Sequence, residues 1–246
     1  MTIHLLYKPS DDTTVDIGWV WLPDEENPEL CGWIDMPLMQ CLFTLTEDAY
    51  FETHYEMLLP AIHRIIVDLQ RLHDKGIVHR DIKLENIGCV ISDERCMPRL
   101  IDFGMSLHVD DKVQHYLSGT ICYVPPEMTN WRHQVPTFAE LCAADVWCLM
   151  YTILVMMTMN MPFREGTLAG GTNPYQKYEE LRKTYTENGD SATDLINLLA
   201  LTGHEFMLDF FVAGLDPNPS TRPSLAYLIA LLEALLLVRR NQSVNK

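Results

Sequence analysis

The period of the apolar positions changes along the chain, and each change marks an element. From Val15 to Leu22 the odd positions are mostly apolar and the residues β-branched or aromatic, which predicts a strand. Leu30 to Ile34 predicts a second strand, and the stretch from Pro23 to Pro28, with proline at both ends, is the turn between them. The period then lengthens. Met57, Leu58, Ile62, Ile65, Ile66, Leu69 and Leu72 make a helical stripe that Gly76 stops, with Pro60 tolerable only near a first turn. Ile87 to Val90 and Arg99 to Ile101 predict short strands flanking a turn at Ser92 to Arg95. Residues 105–137 are irregular and polar with several prolines, the pattern of a functional loop. Helical spacing returns at about 138–158, 176–187, 191–201, 204–213 and 223–239, with no repeat, heptad or low-complexity tract.

Two apolar runs need a membrane check. Trp147 to Met157 is short and has Asp145 beside it, and Leu225 to Val238 is broken by Glu233, so both predict buried helices and no membrane association. A chain of 246 residues is one large or two small domains and needs no staple to bury a core. Its 7 cysteines are odd in number, scattered and without a CxxC pair. They argue against a disulfide framework and for a reducing, intracellular location, and the amino terminus shows no signal peptide. The net charge of −16 disfavours nucleic acid and is compatible with basic partners, or equally with a merely solvated surface.

Candidate chemistry gathers in His79-Arg80-Asp81-Ile82-Lys83-Leu84-Glu85-Asn86. Asp81, Lys83 and Asn86 put a carboxylate, an ammonium and a carboxamide on one short loop. Phosphoryl transfer to a hydroxyl needs such a set: a group to accept and orient the hydroxyl, a cation for the transferring oxygens, and a ligand for Mg²⁺. A second metal carboxylate, Asp102, follows in Ile101-Asp102-Phe103-Gly104.

With these motifs the sequence resembles the eukaryotic-type protein kinase superfamily, serine/threonine branch, over about residues 15–239. The resemblance implies an α+β fold. Residues 1–38 would be a reduced amino-terminal lobe and hinge, and residues 39–246 a mostly helical carboxy-terminal lobe. It implies ATP and Mg²⁺ as cofactors, with Asp81 as the catalytic aspartate and Lys83 beside it, and Asn86 and Asp102 as metal ligands. His79 and Phe103 would be a packed pair, and the hinge from Asp35 to Leu38 would meet the nucleotide. Gly119 to Glu127 resembles the end of the activation segment, in which Thr120 would bond Asp81 and Lys83 and Glu127 would pair with Arg222. Asp145 would brace the catalytic-loop backbone. Arg80 would be a cation for a phosphorylated loop residue, with Ser118 and Tyr116 as candidates and Asp110 or Asp111 as built-in substitutes.

Part of that pattern is missing. Residues 1–33 hold no Gly-rich phosphate loop and no clear strand lysine, although Lys8, with Glu25 or Glu26 as partner, could stand in. Pro37 has no N–H to offer an adenine ring. Cys41 stands where relatives place a carboxylate, and Gly88 replaces the aliphatic residue beneath the adenine. Two readings stay open: an ATP-dependent serine/threonine protein kinase, weak or partner-dependent, with a protein substrate; or an impaired kinase-fold regulator that binds another kinase or its substrate. Glu85 fits a basic protein target. A small-molecule kinase ranks third, because residues 118–127 resemble a peptide-positioning segment.

Overall fold

The computed structural model describes residues 18–21, 32–35, 38–92, 95–111, 118–120, 123–132, 135–158, 199–201 and 203–244. The predicted helix at 176–187, most of that at 191–201, the turn at 23–28, Lys8, Glu25, Glu26, Pro37 and Tyr116 lie outside them. The chain divides into two compact units, Met1–Gln40 and Cys41–Lys246. In the first, β1 (Gly18–Trp21) pairs antiparallel with β2 (Gly32–Asp35), in a register that sets Gly18 opposite Asp35 and Trp21 opposite Gly32. Both strands lie where the alternation predicts them.

The second unit is mostly helical. Two short helices that the sequence pattern did not reveal, α1 (Leu42–Glu47) and α2 (Tyr50–Thr53), precede α3 (Tyr55–Asp74). They are too short to show a helical period, and Ala49 at φ 54° breaks the run between them. The predicted apolar stripe of α3 is buried throughout, and Pro60 stands inside the helix, in its second turn. Gly76 ends the turn after α3 at φ 71°, where a Cβ would come within 2.9 Å of Val109 Cγ1.

Beyond α3, β4 (Ile77–Val78) pairs antiparallel with β7 (Leu107–His108). Between them runs the hairpin of β5 (Ile87–Ser92) and β6 (Arg95–Leu100), both longer than the predicted strands. Pro98 and Gly88 disguise them in the sequence. Cys41, the last residue of the two-residue strand β3 (Gln40–Cys41), lies at the edge of this hairpin in the order β3–β5–β6. Asp68 of α3 holds β6 in place: its carboxylate takes Arg99 Nη1 at 3.0 Å and the Leu100 N–H at 3.3 Å, with both side chains buried.

The core centres on α4 (Phe138–Thr158), which begins where the helical spacing predicts it. With 21 residues and a mean hydropathy of 1.8 it has the length and composition of a membrane span, which the shorter run read from the sequence does not. Yet 89% of that window is packed inside the protein, and Leu149, Met150 and Tyr151 are wholly buried. The remaining helices are α5 (Leu208–Gly214), preceded by a 3₁₀ turn at Glu205–Met207, and α6 (Leu225–Val244), which packs on α3 through Leu225, Leu228 and Leu232.

Breaking the Asp68–Arg99 pair should be costlier than deleting it. Asp68→Leu takes a carboxylate from a buried guanidinium and is expected to lose about 3–5 kcal/mol, whereas Asp68→Leu with Arg99→Leu recovers most of that loss. Urea unfolding of the two variants compares them directly.

Candidate active site

The site begins with a buried acid on an apolar helix. Asp145 of α4 is 1% exposed, and both its oxygens accept bonds from the loop after β4. Oδ2 takes the His79 N–H at 2.7 Å and His73 Nε2 at 3.0 Å, while Oδ1 takes the Arg80 N–H at 2.8 Å. Three donors replace the lost hydration of the charge. They also hold Arg80 at φ 70°, a left-handed conformation that a non-glycine residue keeps only when its surroundings enforce it. Arg80 Nη1 reaches the Met105 carbonyl at 3.1 Å.

His79 is fully buried. Its Nε2–H donates to the Ile101 carbonyl at 3.0 Å, and its ring lies 5.2 Å from that of Phe103. Burial pushes its pKa down, against the pull of Asp145, so the imidazole is neutral. The Ile101 N–H in turn donates to the Asn86 carbonyl at 3.0 Å. That bond sets Asp102, the next residue, beside Asn86 in the backbone. Asp102 itself is at φ 61°, exposed, with Oδ1 accepting the Gly104 N–H at 3.2 Å.

Around Asp81 the polar groups close into one cluster. Thr120 Oγ1 donates to Asp81 Oδ1 at 2.9 Å, and Lys83 Nζ donates to Thr120 Oγ1 at 2.8 Å and lies 3.0 Å from Asp81 Oδ2. Asn86 Nδ2 donates to Asp81 Oδ2 at 2.9 Å and to the Asp81 carbonyl at 2.8 Å. Burial alone would raise the Asp81 carboxyl, but the bonds from Lys83 and Thr120, the Lys83 charge and the Asn86 bond together hold it below the usual range. It is therefore an ionised acceptor at neutral pH. With both N–H groups of Asn86 occupied, its Oδ1 is left as an acceptor.

The segment carrying Thr120 is fastened on both sides. Gly119 sits at φ 95° against the Arg80 carbonyl, where a Cβ would stand 2.8 Å away. Farther on, Glu127 receives both guanidinium nitrogens of Arg222, at 2.8 and 3.1 Å. Arg222 also bonds the Asp216 carbonyl at 2.9 Å and lies over the Trp147 ring at 5.1 Å. Ser118 is buried, with no hydrogen-bond partner for its hydroxyl among the described residues, so a modifying group could reach it only with the segment displaced.

Asp81, Lys83, Asn86 and Thr120 thus meet in one place, and Asp102 adjoins them through Ile101. Asp35 ends β2 in the amino-terminal unit. Among the described residues no three His, Cys, Asp or Glu side chains cluster as a metal site. The oxygens of Asn86 and Asp102 are an incomplete hard-ligand set, the kind that holds Mg²⁺ only together with phosphate oxygens and water. The residues fit that ion. Sequence reasoning missed His73, although a histidine one residue past the buried Leu72 is a signal of a buried polar contact. Cys41, noted in the sequence for standing in place of a carboxylate, has its Sγ 3.6 Å from the Leu84 carbonyl, a contact the sequence did not show. A cavity of about 380 Å³ between Phe51, Leu58, Met156 and His204 is near the far end of α4, roughly 17 Å along the helix from Asp145, and is separate from this site.

Comparison with known proteins agrees with this geometry: the family described as protein kinase domain matches residues 34–231. The chain belongs to the protein kinase family. Over 106 residues this kinase domain is 37% identical to the serine/threonine-protein kinase SBK1 of Danio rerio, covering 42% of the chain and 26% of that protein. Over 170 residues it is 30% identical to the Aurora kinase of Patiria pectinifera, covering 69% of the chain and 35% of that protein. Over 181 residues it is 28% identical to the mitogen-activated protein kinase kinase kinase 3 of Arabidopsis thaliana, covering 73% and 28%. The chain therefore spans about a quarter to a third of the length of these relatives.

The neutral His79 of this kinase domain sets an acid limit on stability. Above pH 6.5 neither state carries its proton, so the folded form loses nothing there. As the pH falls below 6.5 the unfolded chain binds a proton that the folded one refuses, down to the lowered folded pKa. Stability should fall in that window by at most about 1.4 kcal/mol per pH unit from this group. Urea midpoints at a series of pH values should show a shallower acid decline in His79→Leu than in the native chain.

Proposed function

We propose that this kinase domain transfers the γ-phosphoryl group of ATP to serine or threonine hydroxyls of a protein, at a rate that is low or raised by a partner. The observation that carries this reading is the closed cluster of Asp81, Lys83, Thr120 and Asn86. Asp81 accepts and orients the incoming hydroxyl. Its lowered pKa makes it a weak base, but a loose transition state asks mainly for alignment. Lys83, with Nζ held between Asp81 and Thr120, balances charge on the transferring oxygens. Asn86 Oδ1 and the Asp102 carboxylate would hold Mg²⁺, which when bound neutralises charge on the phosphates. Asp35 and its neighbours are assigned to the nucleotide base, and Thr120 positions the peptide-side segment against Asp81.

A basic target suits a chain of net charge −16 whose Glu85 is exposed beside the cluster. Free thiols at Cys41, Cys89, Cys96, Cys142 and Cys148 support a reducing, intracellular setting. One set of observations favours a second reading, a kinase-fold regulator that binds a complete kinase or its substrate. Residues 1–33 lack a Gly-rich loop and a clear strand lysine, and the buried Gly88 leaves out the aliphatic floor of the adenine site. Such a side chain is worth about 1.5–3 kcal/mol when fully buried.

Two measurements separate the readings. Asp81→Asn should lower Mg²⁺-ATP-dependent phosphate transfer to a mixed serine/threonine peptide pool by about 10²–10⁴-fold. Equal turnover by both chains would sink the enzyme. Independently, Mg²⁺-ATP at about 100 times its dissociation constant should stabilise the native chain by about 2.7 kcal/mol and leave Asp102→Asn nearly unshifted in a thermal melt. No shift in the native chain would favour the regulator.

A further inference from the structure

The β5–β6 hairpin carries two thiols that the phosphoryl-transfer reading does not use. Its register sets Cys89 opposite Pro98 and Ile91 opposite Cys96. Side chains alternate along a strand, so Cys89 and Cys96 share one face of the hairpin at diagonal positions. They are 1% and 8% exposed, and both are free thiols. The two thiols are near enough to shift one another: Cys96 and burial push the Cys89 thiol well above its ordinary range. Cys89 in turn draws Cys96 below its own, although burial opposes it. The helix thiols behave otherwise, since burial pushes Cys142 up to about 12 and Cys148 upward as well. Among these groups Cys96 is the one drawn toward ionisation, with a second thiol at the diagonal position on the same face.

We propose that Cys89 and Cys96 form a thiol modification site that a hydroperoxide converts into an intramolecular disulfide across β5 and β6. In the first step the Cys96 thiolate attacks a peroxide oxygen. The S–O bond forms, the O–O bond breaks, and the departing hydroxide takes a proton to become water. In the second step the Cys89 sulfur attacks the resulting sulfenic sulfur, the S–S bond forms, and the S–O bond breaks. The hydroxyl leaves with the Cys89 proton as a second water. Two thiols are oxidised and one hydroperoxide is reduced, so the electrons balance.

The fold allows the bond with a small movement. Diagonal neighbours stand about 7–8 Å apart at Cα, and a disulfide takes about 4.4–6.8 Å, so closure draws the strands together by about 1 Å. Pro98, opposite Cys89, has no N–H to give the ladder, which leaves the hairpin free to yield there. The open end of the same hairpin carries the site: Asn86 immediately precedes β5, and Asp102 follows β6 by one intervening residue. Oxidation therefore changes the spacing of those two oxygen ligands. This consequence rests on the proposed reading of Asn86 and Asp102; the disulfide itself does not.

Peptide mapping tests the chemistry. The full chain is treated with graded hydrogen peroxide, capped with N-ethylmaleimide and digested with trypsin without reduction. Cleavage after Lys83, Arg95 and Arg99 places Cys89 in residues 84–95 and Cys96 in residues 96–99. The two peptides are expected to emerge joined and to separate with dithiothreitol. Cys89→Ala and Cys96→Ala should each abolish the joined species, and Cys41→Ala should leave it. A cross-link through Cys41, a sulfinic acid at Cys96 without a cross-link, or maleimide on both cysteines at peroxide levels that oxidise free cysteine would overturn the proposal. With the disulfide mapped, Mg²⁺-ATP affinity should differ at least about tenfold between oxidised and reduced chains. Equal affinities would overturn the coupling, and no binding by either chain would instead sink the nucleotide reading.

Discussion

Everything polar in the site is positioned by one carboxylate in an apolar helix. Asp145 lies in α4 among residues that are nearly all buried, where an unpaired charge would cost several kcal/mol. Its three N–H donors come from α3 and from two consecutive residues of the loop after β4. The contact therefore determines geometry more than stability. It fixes two successive backbone amides toward the helix and forces the left-handed turn at Arg80. The next residue, Asp81, is then aimed away from α4 and toward Thr120, Lys83 and Asn86. Without Asp145, Arg80 would lose the bond that fixes its N–H in that turn, and the cluster would lose its orientation before it lost any of its members.

A second constraint approaches from the other side. The backbone at Gly119 comes so near the Arg80 carbonyl that no side chain fits, and this closeness lets the short hydroxyl of Thr120 span from Lys83 to Asp81. Beyond it the Glu127–Arg222 pair ties the same segment to the loop before α6 and, through Trp147, back to α4. Buried pairs of this kind contribute little net stability, but removal of either partner leaves a charge with nowhere to go. Two loops distant in sequence are thus referred to one helix, and the polar cluster around Asp81 is the place where they meet.

The sequence made the helices and the cluster legible to different degrees for physical reasons. Helices α3 and α4 were readable because their burial repeats over many turns, and α4 begins where the spacing predicts it. The site was readable because its motifs are local: Asp81, Lys83 and Asn86 lie within one loop, and Thr120 and Glu127 lie within one segment. The hairpin was only half readable. Gly88 and Pro98 are poor strand formers, and they pair with Arg99 and Cys89, whose contacts across the sheet and to Asp68 supply what propensity lacks. Contacts that join distant elements through a single polar atom, such as His73 to Asp145 or Cys41 to the Leu84 carbonyl, leave no periodic trace. Only burial shows them.

The charges of the site bear on how a nucleotide could enter it. Asp81 and Lys83 neutralise each other across 3.0 Å, and Asp102 adds an exposed carboxylate beside Asn86, so these side chains sum to about one negative charge. A triphosphate brought to that place meets repulsion of about 4 kcal/mol for each unit charge held at 4 Å, at an effective dielectric near 20. The net charge of −16 on the chain adds to this at long range, though salt screens that part. On the proposed reading, a divalent cation held by Asn86 and Asp102 would offset that repulsion, because the only cation in the described cluster, Lys83, is already paired with Asp81. The charge balance of the site therefore makes metal the partner that the enzyme reading requires and the regulator reading does not.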